Sequence, residues 1–171
     1  GVIAGMVGSE RTIIVPPNID RTFWVTKEKA SREYLEEMAS YVAWLVLDVT
    51  PTTVDWKKNV LLNWVAPDQH AAMKTKMDIE AERLRTNNAT TFFLVQQLAA
   101  DEAKQSVVVT GRLRRQINGA DVTDPETRSY LAQFQYVGGR VHIQSFKEIP
   151  YAQPGQQVRV GAADSNGTPA R

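Results

Sequence analysis

Two histidines, His70 and His142, are the residues of this 171-residue chain best suited to proton transfer near neutral pH. Acid/base work would need the fold to bring them together, or to set one beside a carboxylate. No carboxylate or nucleophile lies at a characteristic spacing from either. In VHIQSF, His142 alternates with Val141 and Ile143, which puts it on the opposite strand face from them. The carboxylates Glu36, Glu37, Asp78, Glu80 and Glu82 fall on helix faces, where solvation accounts for them. Tyr130, His142 and an Asp are the nearest approach to a convergent polar set of the isomerase or dehydratase kind, and their strand phases do not meet. The chain has no cysteine, which excludes disulfides, thiolate metal sites and thiol nucleophiles. HExxH, EF-hand, P-loop, GxGxxG and GxSxG patterns are absent, so no metal, cofactor or catalytic residue is expected.

The basic run Arg112-Leu113-Arg114-Arg115 is the one candidate for nucleic-acid contact. On a strand, Arg112 and Arg114 share one face while Leu113 and Arg115 share the other. Formal net charge is only +1, so no bulk field reinforces the pair, and sequence-specific nucleic-acid binding is not expected. Aromatic residues offer a different chemistry, that of protein contact. Trp44, Trp56 and Trp64 lie on or near the predicted helices, with Tyr41 one turn before Trp44. Such residues are core by default, yet they also bury much area at low entropic cost in interfaces. Trp24, with Phe23 and Val25, sits in an extended arm and needs somewhere to dock.

Helical spacing predicts a first helix from about Ser31 to Leu47, with Ser31 as cap and Glu33, Glu36 and Glu37 near the positive helix start. Its apolar line is Tyr34, Leu35, Met38, Tyr41, Val42 and Leu45. Thr50-Pro51 reads as a new cap for a short second helix to about Val65. Ala66-Pro67 repeats the device, and a third helix runs to about Thr86. The period then becomes two. ATTFFLVQQL, SVVVTGRLRRQI, RSYLAQFQYV and RVHIQSFKEI read as four strands, with ADEAKQ and the signals Asn118-Gly119 and Gly138-Gly139 at turns. Gly111, inside the long second strand, is a candidate bulge or bend. Three helices followed by a curled four-stranded antiparallel sheet make an α+β domain with the helices on one sheet face.

The domain is expected over 31–149. Residues 9–30 read as an extended stalk or arm, and 150–171, rich in Gly, Pro, Gln and Ala, as a disordered tail. Hydrophobic content of 43% and charged content of 23% are ordinary for a globular domain. GVIAGMVG (1–8) is uncharged but far short of the roughly 20 apolar residues a spanning helix needs. It reads either as the end of such a helix or as a tag scar.

ERTIIVPPNIDRTFWV, YLEEMASYVAWLVLDVTPTTVDWKKNVLLNWVAP and MKTKMDIEAERLRTNNATTFF, in this order, resemble the TraE family of F-type conjugative transfer systems over about residues 9–149. That family is similar to the VirB-eight inner-membrane subunit of type IV secretion systems. The resemblance implies a single-pass bacterial inner-membrane protein with a periplasmic domain of nuclear-transport-factor-two-like fold. It implies no enzyme, but a channel component that forms a homo-oligomer and contacts other channel subunits. GVIAGMVG then becomes the periplasmic end of the membrane helix. The VirB-eight branch carries an Asn-Pro-x-Gly turn between its last two strands, linked to subunit contacts. The equivalent here, Val137-Gly138-Gly139-Arg140, is glycine-rich without Asn-Pro. The interaction residues expected on this basis are Trp24, Tyr41, Trp44, Trp56, Gly138, Gly139 and Arg140. A small-molecule-binding protein or isomerase-like enzyme of the same cone-shaped fold is the alternative, and a DNA-contacting module using Arg112 and Arg114 is a third reading.

Overall fold

The structure, a computed structural model, describes residues 29–152. The expectations for 1–28, Trp24 among them, and for 153–171 lie outside the described residues. Helix α1 spans Arg32–Leu47, and the Ser31 hydroxyl accepts a hydrogen bond from the Tyr34 N–H at 3.2 Å, closing its first turn. Tyr34, Leu35, Met38, Tyr41, Val42 and Leu45 are all buried, as the helical spacing requires. Helix α2 covers Val54–Leu62 and is shorter than its sequence signals at both ends. Ahead of it, Thr50 and Thr53 exchange hydrogen bonds: each backbone N–H donates to the other's hydroxyl, at 2.9 and 3.1 Å. The reciprocal pair closes the turn that leads into the helix, whose own N-cap position is Thr53. Past Leu62 the N–H groups of Asn63, Trp64 and Val65 bond to carbonyls three residues back, which tightens and ends the helix. Pro67–Gln69 form a 3₁₀ turn, and α3 runs His70–Asn87. Asn88 closes it in the left-handed region at φ 49°, as asparagine tolerates.

Strands β1 (Ala89–Asp101), β2 (Ser106–Ile117), β4 (Glu126–Val137) and β5 (Arg140–Ile149) form an antiparallel sheet in the order β1-β2-β4-β5. The two-residue β3 (Ala120–Asp121) folds back on the end of β2 through the Asn118-Gly119 turn and was not foreseen as a strand. Val107, Val109, Leu113, Tyr130, Ala132, Phe134, Val141 and Ile143 face α1 and form one core with it. A second, smaller cluster joins Val49, Val54 and Ala81 where α3 meets the α1–α2 connection.

Of the bulge or bend expected at Gly111, the bulge falls on the strand opposite it, next to its partner Val95. The irregular register lies on the neighbouring strand, between Val95 and Gln97. Gly111 is instead a place of close approach. An added Cβ would stand 2.3 Å from the Leu94 carbonyl oxygen and 2.7 Å from the Phe93 ring. That absence of a side chain lets Phe93 lean across β2 to meet Tyr130 edge-on at 5.6 Å, and Tyr130 stacks on Phe146 at 5.3 Å. A row of aromatic rings thus crosses the inner face from β1 to β5.

Among the described residues no helix is long and apolar enough to cross a membrane. Helix α3 is the most loosely seated, with Ala81 its only buried residue. It is tied to α2 by ions: Lys58 donates to Asp78 at 2.7 Å and Arg85 to Asp55 at 2.8 Å, while Lys74 also reaches Asp78 at 2.9 Å. The two ammonium groups hold the Asp78 carboxyl down at about 2 through their hydrogen bonds. A carboxyl depressed in the folded state stabilises above its unfolded value of 3.8, and the contribution is lost as pH falls through about 2. A carbon-detected NMR titration is expected to find the Asp78 midpoint near 2 and to see it climb toward 3.8 in Lys58→Gln. An ordinary midpoint in the unmodified chain would contradict the tie.

Candidate functional site

The residues that could share acid/base chemistry are kept apart. Tyr130 points to the inner face beside Val109, whereas His142 pairs with Gln135 on the outer face. Burial and the Arg140 charge push the His142 imidazole below its ordinary value, against an opposing hydrogen bond to the Val137 backbone. His70 is exposed at the start of α3. No group of three or more His, Asp or Glu among the described residues is placed to hold a metal ion. Arg112 and Arg114 do share the outer face, as strand alternation predicts, but neither is a loose charge. Arg114 pairs with Asp121 at 3.1 Å and lies 5.2 Å from the centre of the Phe92 ring, while Arg112 donates to Thr127 at 3.3 Å.

The helical aromatic residues form one file. Tyr41 stacks on Trp44 at 6.1 Å, and Trp44 meets Trp56 edge-on at 6.0 Å. Tyr41 is only 4% exposed, so it supports the file from inside the core, while Trp56, at 47%, reaches the surface. Beneath them lies a residue the sequence reading did not single out. Lys57 is 4% exposed, with its ammonium 3.8 Å from the centre of the Trp44 ring. It donates to the carbonyl oxygens of Asp48 and, at 3.3 Å, Trp44. The last turn of α1 contains no basic residue of its own, so Lys57 supplies from α2 the cation that the negative helix end favours. Burial lowers the Lys57 ammonium below 10.5, with Asp48 opposing. The only advance signal was that basic gap at the end of WLVL, and it does not say which lysine fills it.

The β4–β5 turn is built as Gly138-Gly139 implies, with φ of 61° and 79° at the two central residues. Both glycines are exposed. Arg140 is less free than its position at the turn suggested. It lies 4.3 Å from the centre of the Trp64 ring and donates to the Asn63 carbonyl at 3.2 Å, which ties the turn to the end of α2.

Between α3 and the inner sheet face is a cavity of about 660 Å³. Leu45, Leu61, Tyr130, Ile143 and Phe146 line its sheet and α1–α2 side, and Met73 and Met77 its α3 side. Its rim is basic. Lys58, Lys76, Arg83, Arg115, Arg128 and Lys147 line it, against Glu80 and Glu148. No sequence signal assembled this rim, because its members come from α2, α3 and three strands.

A family model described as "TraE protein" matches residues 1–148. The chain is 26% identical over 144 residues to Protein TraE of Salmonella typhi, covering 84% of this chain and 76% of that one. It is likewise 26% identical over 140 residues to Protein TraE of Escherichia coli K12, covering 81% and 73%. In structure it resembles a TrwG component of a type IV secretion system from Bartonella birtlesii, with a TM-score of 0.60 at 11% identity over 75% of this chain and 99% of that one. It also resembles a TraE protein in complex with 2-chloroisonicotinic acid, with a TM-score of 0.59 at 10% identity over 71% and 97%. At such identities the two structures speak for the fold, and the match along the sequence speaks for descent: this chain belongs to the TraE family of conjugative transfer systems.

Proposed function

We propose that the chain is a non-enzymatic assembly component of a conjugative type IV secretion channel. In this reading its N-terminal segment tethers it to the bacterial inner membrane, the domain over 31–149 lies in the periplasm, and it self-associates and contacts other channel subunits. The observation that carries the reading is the family match over residues 1–148. The separation of Tyr130 and His142 on opposite sheet faces agrees with a role that needs no catalysis.

Plasmid transfer from donors deleted for the gene tests it directly. Transfer is expected to disappear on deletion and to return only with the membrane-tethered form. Undiminished transfer from the deletion strain would refute the reading. The exposed β4–β5 turn offers a finer test. A Cβ at Gly139 meets nothing within 4 Å, so Gly139→Asp bears only the left-handed backbone penalty, about 1 kcal/mol. The domain stays folded, while transfer frequency and sedimentation-detected self-association are expected to fall. Unchanged values for both would remove the turn from the contact surface.

A further inference from the structure

We infer that the cavity beneath α3, together with the open edge of β5, is a docking groove for an extended, acidic and apolar peptide segment of a partner protein. The inference deepens the channel-component reading by giving one of its contacts a place and a chemistry.

Three observations converge on one stretch of chain. The first is an unfinished strand edge. Strand β5 is last in the sheet, and the 64–66 segment begins to pair with it in parallel. Ile143 N–H donates to the Trp64 carbonyl at 2.7 Å, and Ala66 N–H donates to the Ile143 carbonyl at 2.9 Å. Pro67 then turns the chain away into the 3₁₀ turn. From Gln144 to Ile149 no described segment pairs with the outer side of β5. An added strand would continue a line already begun.

The second is a buried acceptor without a donor. The Gln144 side-chain amide donates to Asp68 at 3.4 Å, which orients it and leaves its carbonyl oxygen buried, with no hydrogen-bond partner among the described residues, in a residue that lines the cavity. Such an atom calls for an N–H. A peptide carries one at nearly every residue.

The third is charge. Lys58, Arg83 and Arg128 on the rim have carboxylate partners within the chain. Lys76, Arg115 and Lys147 have no ion pair among the described residues. A strand added to β5 would set alternate side chains over the apolar floor, between Lys76 and Arg115, and the others on the opposite sheet face, where Lys147 stands across from Leu131, so apolar residues suit the first set and acidic ones the second. Lys147 has a double effect, since a lysine on an exposed edge also discourages indiscriminate strand pairing.

The test pans a phage-displayed library of random nonapeptides against the full 171-residue chain. Recovered peptides are then measured by fluorescence anisotropy and by amide hydrogen exchange. Enriched peptides are expected to alternate apolar residues with Asp or Glu. Their dissociation constants should rise by about tenfold or more in Arg115→Glu/Lys147→Glu, a double reversal on exposed positions. Arg115→Gln/Lys147→Gln serves as the milder form should the reversal disturb folding. Amides in 144–149 should gain protection. No enrichment, enrichment without acidic bias, binding indifferent to both variants, or protection only elsewhere would each overturn the inference. None of these outcomes touches the transfer phenotype, so failure of the groove and failure of the channel reading are told apart.

Discussion

Gly111→Ala is expected to lower the melting temperature by roughly 10 °C, which corresponds to a loss of about 2–3 kcal/mol in a domain of this size. Alanine ordinarily gains a few tenths of a kcal/mol over glycine in a strand, by restricting the unfolded chain and relieving the cost of an unfilled position. Here two short contacts oppose that gain. The nearer, at 2.3 Å, is with the Leu94 carbonyl, a backbone atom held in the β1–β2 ladder beside the Val95/Gln97 irregularity. Backbone cannot swing aside as a side-chain tip can. The other, at 2.7 Å, is with the Phe93 ring, whose displacement would open the Phe93–Tyr130 contact. Gly138→Ala provides the control. Its Cβ meets open space, so only the φ of 61° counts against it, about 1 kcal/mol. Thermal melts of the two variants should differ clearly in that order. A Gly111→Ala domain as stable as the parent would mean that the aromatic row does not depend on the bare backbone at β2.

The order of the three helices and four long strands, the cap at Ser31, and the bounds of β2 and β5 were legible because each rests on local signals. These are a hydroxyl before an apolar helical face, a period-two run, or a glycine pair requiring positive φ. The cap expected at Thr50 falls three residues later, at Thr53. Family membership was legible for another reason, the ordered succession of several segments. The misplaced bulge shows where local reading stops. Glycine in a strand signals either a bulge or a close approach, and only the partner strand decides between them. The cavity rim was hidden more deeply. Arg115 was read as one member of a basic run, yet it faces the cavity side with Lys76, which is distant in sequence, while Lys147 joins the lining from the edge strand. Tyr41 and Trp56 carry similar residue types in the same file, but one is buried and the other half exposed, a difference set by how α2 folds back on α1.

Lys57→Ala is expected to destabilise the domain by about 3 kcal/mol, and Lys57→Met by about half as much. Both remove the donor to the Trp44 and Asp48 carbonyls and leave the end of α1 without its cation. Methionine keeps the apolar stem against Trp44, whereas alanine also opens a void beneath the Trp44–Trp56 contact. Replacing a buried charge by an apolar residue can be neutral or even stabilising when both members of an ion pair are exchanged. Here the partners are main-chain carbonyls that no substitution removes, so the unpaired acceptors decide the sign. Because burial depresses the Lys57 ammonium, the unfolded chain binds more protons between the folded-state value and 10.5. Parent stability therefore rises through that window, and the difference from Lys57→Met widens with it. Tyr34, Tyr41 and Tyr130, all raised by burial, pull the other way above about pH 10, but they do so in parent and variant alike and cancel in the difference. Chemical denaturation of the three proteins at pH 7 and across the alkaline range measures both effects. A Lys57→Met domain more stable than its parent at pH 7 would show that the desolvation of the ammonium outweighs the cap it provides.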